Sequence, residues 1–107
     1  MKTFNHTIII GRLGQSPKVK STAKGDVAEF SLSNSTFVNG VEQAQWHQIV
    51  AFGKQATLCA EYLCKGDLCC IEGRLDTHTY EKDGEIRYSQ IIIAERITFL
   101  SSKRKGE

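Results

Sequence analysis

Gln45-Trp46-His47-Gln48-Ile49-Val50-Ala51-Phe52-Gly53-Lys54 is the stretch on which the fold turns. In an extended strand its side chains alternate, so Trp46, Gln48, Val50 and Phe52 point one way and His47, Ile49 and Ala51 the other. Gly53 and Lys54 end the alternation and lead into a helical pattern. The Ile49/Ala51 side suits a core. The other side then presents two rings on a sheet surface, among them the single tryptophan of the chain, with a lysine just beyond. Such a surface is a platform for stacking unpaired bases. Aromatic side chains are more often core residues, and on this strand alone both readings stand.

Working outward, Lys54 to Cys64 carries the one helical period, with Ala56, Cys59, Ala60 and Leu63 on a stripe. Lys65-Gly66 is its stop signal, with the glycine suited to a left-handed position past the end. Upstream, Val27 to Ser35 alternates so that Ala28, Phe30 and Leu32 form a core face. Ser35 to Ala44 reads as a loop, with Asn39-Gly40 as a hairpin signal and Phe37 in polar surroundings. Further back, Thr3 to Leu13 is a strand with Phe4, His6, Ile8 and Ile10 on one face. Apolar residues on both faces near Ile8 point to burial by the core on one side and by a partner subunit on the other. Lys18 to Ser21 pairs briefly before a Lys24-Gly25-Asp26 turn. Downstream, Leu68 to Tyr80 is a long strand, Lys82-Asp83-Gly84 a hairpin tip, and Ile86 to Phe99 the returning strand. Gly11, Gly14 and Gly73 suit the bends of a coiled sheet.

The order is β-β-β-α-β-β, an all-β domain with one helix. A five-stranded OB-fold barrel has this order; an α+β sandwich is the alternative. Residues 1–100 form the domain and 101–107 a frayed basic end. The net charge of +2 demands no polyanionic partner by itself. Its distribution is more telling, because residues 1–25 carry Lys2, Arg12, Lys18, Lys20 and Lys24 and no acid. No apolar run approaches a membrane span, and without an apolar signal core the chain reads as cytoplasmic.

Catalysis finds little support. His6, His47 and His78 sit on separate strands, and no nucleophile is set beside a base. The acids are too dispersed for a metal-dependent nuclease. Cys59, Cys64, Cys69 and Cys70 lack the C-x-x-C spacing of a zinc site and read as small buried thiols. We expect no metal and no cofactor. Binding is better supported: Phe37, Trp46, Phe52, Tyr80 and Tyr88 lie outside the clear core stripes, with Lys54, Lys65, Arg74, Lys82 and Arg87 near them. For Tyr88 a packing role, and for Lys82 a solvated hairpin tip, is the favoured reading.

Ile8-Ile-Ile-Gly-Arg-Leu-Gly-Gln-Ser-Pro17, Trp46 to Lys54, Glu61-Tyr-Leu-Cys-Lys-Gly66 and Ile71-Glu-Gly-Arg-Leu75 together resemble the bacterial single-stranded DNA-binding protein family, in order from about Asn5 to about Leu100. The resemblance implies an OB-fold, usually a homotetramer, that wraps single-stranded DNA in replication, recombination and repair. It implies stacking roles for Trp46, Phe52, Tyr80 and Phe37. Lys54 and Lys65 match basic positions near the DNA path, and Arg74 joins them as a basic residue of the fourth strand. His47 matches a subunit-contact histidine, with His6 and Ile8 of the first strand as further contact residues. Asp76 and His78 depart from the pattern, standing where many members are basic. The family commonly continues into a flexible linker and an acidic tip that docks replication and repair proteins; Ser101 to Glu107 is instead basic, so we expect a short form without that docking tail. An OB-fold interaction module of the primosomal type, whose main partners are replication proteins, is the alternative.

Overall fold

The computed structural model describes residues 3–100. The elements run β1 Thr7–Leu13, β2 Lys18–Thr22, β3 Gly25–Val38, β4 Val41–Phe52, α1 Lys54–Tyr62, β5 Leu68–Lys82 and β6 Glu85–Phe99. One strand exceeds the expected order. Lys18–Thr22 pairs with β3 over its five residues, matching the brief pairing expected, but the turn between them is Ala23-Lys24 rather than Lys24-Gly25-Asp26. β2 is an outer arm, so the barrel itself keeps five strands. β1 is hydrogen-bonded to both β3 and β5, β5 to β6, β6 in parallel to β4, and β4 to β3, which closes the ring.

Alternation fills that ring. Leu13, Ala28, Phe30, Leu32, Ile49, Ala51, Ile71, Ile92 and Ala94 point inward and are buried. α1 closes one end with Ala56 and Cys59, and Leu63 follows just past its last turn. The helix is shorter than its stripe suggested. Leu63 is already extended, Ala60 is exposed, and Gly66 takes the expected left-handed conformation. The turn that ends it is tied to β1: Leu13 N–H donates to Asp67 O at 3.0 Å and Gly66 N–H to Leu13 O at 2.9 Å. Asp67, buried here, accepts the Cys64 N–H on its carboxylate at 3.0 Å, which satisfies a charge that would otherwise be costly.

Two glycines make the curvature possible. A Cβ at Gly11 would strike the Ser33 carbonyl, and one at Gly73 the Ile93 carbonyl, so the backbones approach where any side chain would part them. Gly73 adjoins a bulge. Gly73 faces Ala94 while Glu72 faces Arg96, leaving Glu95 as the extra residue of β6.

Ser35 to Ala44 is not a loop. β3 and β4 continue to a two-residue turn at Asn39-Gly40, with φ of 53° and 81°, and Phe37 faces Glu42 across the pair. Asp83-Gly84 makes the matching turn of the β5–β6 arm. Both arms leave the barrel; the β3–β4 arm is wet on both sides and lacks the alternation by which a strand is recognised. Cys59 and Cys69 are buried, whereas Cys64 and Cys70 are only half-buried; all four are free thiols. Burial pushes the Cys59 thiol up to about 12. It pushes Cys69 up to about 12 as well, with smaller contributions from Cys59, Cys70 and Asp67. The expected basic end at 101–107 lies outside the described residues.

Candidate nucleic-acid interface

The two faces of β4 are as unlike as its sequence suggests. Ile49 and Ala51 are fully buried, while Trp46 is 58% and Phe52 50% exposed. Val50 points the same way as the rings yet is only 8% exposed. It stands mid-sheet, between Glu29 of β3 and Ile93 of β6, and the β5–β6 arm faces it across a groove. That groove, of about 420 Å³, is walled by His78 and Tyr80 on one side and by Gln48 and Glu29 on the other. A second groove, of about 370 Å³, runs from Gln48 and Glu29 past Ser31 to Trp46, Gly14 and Lys18. The two share Glu29 and Gln48, so they form one trough from the indole to the Tyr80 ring.

Strand register places the charges along this trough. Arg12, Ser33 and Trp46 form one row across β1, β3 and β4. Lys18, Glu29 and Val50 form a second, and Lys20, Val27 and Phe52 a third. Lys54 follows Phe52 by two residues at the start of α1. The Lys65 N–H donates to Ser16 Oγ at 3.3 Å, which brings Lys65 to the rim of the Trp46 groove. Arg74 lies beyond Ile93 on the outer face, where its Nη1 donates to Glu95 Oε2 at 2.6 Å. Glu95 follows Ile93 by two residues and so shares the outward face of β6 with it. Of the expected basic residues, Arg74 is therefore already paired with an acid, as is Arg87, whose Nη2 lies 3.3 Å from Glu85 Oε1.

The aromatic residues divide. Tyr80 lines the trough, with the His78 ring 6.2 Å away and tilted by only 18°. Phe37 is exposed on the Trp46 side of the β3–β4 arm, nearer its tip. Tyr88 pairs with Thr79 and so occupies the opposite side of the β5–β6 arm from Tyr80. His78, which breaks the basic pattern, contributes a ring to the trough wall instead.

Three residues of the trough escape a sequence reading. Arg12 and Lys18 join it only through register; a two-residue turn at Ala23-Lys24 would have placed Lys18 opposite Glu29. Gly14 is the third. A Cβ there would lie 2.7 Å from Trp46 Cζ3 and 3.0 Å from Cη2, so the indole rests on bare backbone.

The residues expected at subunit contacts gather elsewhere. Ile8 and Ile10, 59% and 55% exposed, border a concavity of about 290 Å³ with Asn34, Gln45 and His47. His47 Nε2–H donates to Asn34 Oδ1 at 2.6 Å, which fixes its ring. His6, just before β1, has Nε2 4.0 Å from Glu72 Oε1. Among the described residues no group of three or more His, Cys, Asp or Glu side chains gathers as metal ligands, and no helix is long and apolar enough to cross a membrane.

A closed five-stranded barrel with a helix between its third and fourth strands, and an open aromatic trough on one face, defines an oligonucleotide-binding type of β-barrel. Comparison with known proteins makes this specific: the chain belongs to the single-strand binding protein family, whose model matches residues 4–100. A single-stranded DNA-binding protein of Staphylococcus aureus (strain N315) is 41% identical, over 97% of this chain and 70% of the relative. Single-stranded DNA-binding protein 1 of Chlorobaculum tepidum is 37% identical, over 96% of this chain and 68% of the relative. Among solved structures, the Plasmodium falciparum SSB in complex with ssDNA superposes with a TM-score of 0.86 at 27% identity, covering 94% of this chain and 98% of that one.

Proposed function

We propose that the protein binds single-stranded DNA along the trough, without requiring one sequence, and so protects and organises it in replication, recombination and repair. The observation that carries this is the outward exposure of Trp46 and Phe52 on one face of β4, with Trp46 lining a groove that continues to Tyr80. Rings exposed at that spacing offer π-faces to unpaired bases, each worth ~1–3 kcal/mol. Arg12, Lys18, Lys20, Lys54 and Lys65 border the path and meet phosphates, releasing counterions. Phe37 extends the stacking surface onto the β3–β4 arm. Binding, not catalysis, is the activity.

The strand is wrapped by an assembly of like chains, usually four in this family, joined through the β1 face of His6, Ile8 and Ile10 together with His47. Replication and repair proteins are the partners to which such a complex passes its DNA, in the bacterial cytoplasm. The test is a titration with oligo(dT). Trp46 fluorescence should be quenched, and log affinity should fall linearly with log salt. Unaltered fluorescence with no retarded complex at low salt rejects the reading.

A further inference from the structure

An acid stands where a phosphate-binding groove would least want one. Glu29 is half-buried in the floor shared by both grooves, between the Trp46 end and the Tyr80 end. Lys18 is its neighbour across the strand pair, yet the Glu29 carboxylate has no hydrogen bond or ion pair among the described residues. Beside it, Gln48 Oε1 accepts from Ser31 Oγ at 3.4 Å, which leaves the Gln48 amide N–H groups directed elsewhere. A carboxylate only accepts hydrogen bonds, and an amide N–H only donates. Phosphates are repelled from such a floor and remain on the lysine and arginine rim, so what reaches the floor is the edge of a base.

Resting on the single-strand-binding reading above, the geometry points to Glu29 and Gln48 as a specificity-determining pair that favours guanine and disfavours thymine at the centre of the trough. Guanine presents two adjacent donors, N1–H and N2–H, to a carboxylate, with its O6 alongside for the Gln48 amide. Cytosine and adenine present one exocyclic amino group each. Thymine presents a single N3–H between two carbonyl oxygens, which face the carboxylate with like polarity. A stacking groove is ordinarily indifferent to sequence because every base has a π-face. A carboxylate in its floor adds the edge discrimination that bidentate contacts supply in duplex recognition.

The test compares oligo(dT) with an oligonucleotide of equal length carrying isolated guanines too far apart to form quadruplexes. Both are titrated at one salt concentration against the unaltered protein, Glu29→Gln and Glu29→Ala. The unaltered protein should bind the guanine-containing strand roughly five- to tenfold more tightly. Both variants should lose most of that ratio, chiefly by binding oligo(dT) better, while Trp46 quenching keeps its amplitude. Equal affinities for the two strands overturn the inference and leave the binding reading standing. So does a uniform gain for both strands in the variants, which would make Glu29 merely a repulsive charge. Failure of both strands to bind the unaltered protein overturns both.

Discussion

Two surfaces of this barrel expose apolar side chains, and they differ in what accompanies them. Along the trough, Trp46 and Tyr80 are interleaved with Gln48, Ser31 and Glu29 and bordered by Arg12 and Lys18, with Phe52 exposed on the same face of β4. On the outward side of β1, Ile8 and Ile10 face Glu72 and Cys70 across the strand pair, with no exposed basic residue in those pairs. Flat rings among donors and acceptors fit a nucleotide, which has a flat apolar body and a polar edge. Branched aliphatics fit another apolar surface of fixed shape. Exposure alone would have equated the two regions; their chemistry sets them apart.

The largest effect should abolish both surfaces together, through the barrel that carries them. Cys59 and Cys69 are held at about 12 in the fold, above the ordinary 9.0 of a free thiol. The unfolded chain therefore loses these protons first, and the stability from keeping them is complete below pH 9.0 and declines as pH rises toward 12. Thermal melts between pH 7 and 11 should show this decline, and a Cys59→Ala/Cys69→Ala variant, weaker at neutral pH, should show a flatter one. Equal slopes would remove the thiols as its source.

Ile10→Asp is the sharpest way to split the two regions. A charge placed in a closed apolar contact costs ~3 kcal/mol or more. Sedimentation should therefore report smaller species, while a short oligo(dT) still quenches Trp46. Unchanged assembly would move the subunit contact away from β1. Trp46→Ala is the converse. It should cost ~1–3 kcal/mol of DNA affinity, measured by anisotropy of a labelled strand, with assembly and melting temperature little altered. Unfolding instead would mean that the ring is structural. The smallest effect belongs to Gly14→Val, whose side chain must displace the indole seated there. We expect a loss of ~1 kcal/mol, at the low end of a stacking contribution. In a double-mutant cycle with Trp46→Ala the loss should vanish; a loss that persists would give Gly14 a role of its own.

Much of this was legible in the chain. Ile49 and Ala51 against Trp46 and Phe52, Ala28, Phe30 and Leu32 as a core face, and the left-handed Gly66 all follow from alternation, periodicity and local backbone preference. The arms were not. Ser35 to Ala44 reads as a loop because a hairpin wet on both sides has no face to bury, and alternation is a record of burial. The helix ends before its stripe does, and the turn that follows it, at Gly66 and Asp67, is tied to β1, far away in sequence. Ala60 is apolar with nothing to cover it.

By itself the sequence determined which side of each barrel strand is dry, since the two-residue period of a strand is fixed by the backbone. It also marked the two-residue turns at Asn39-Gly40 and Asp83-Gly84. Only the tertiary structure decided what lies beside what on the wet side. Register brings Arg12, Lys18 and Glu29 to the trough and Arg74 to Glu95, and the bare backbone of Gly14 lies beneath Trp46. Such neighbours come from pairings between distant segments, and no local preference of the chain encodes them.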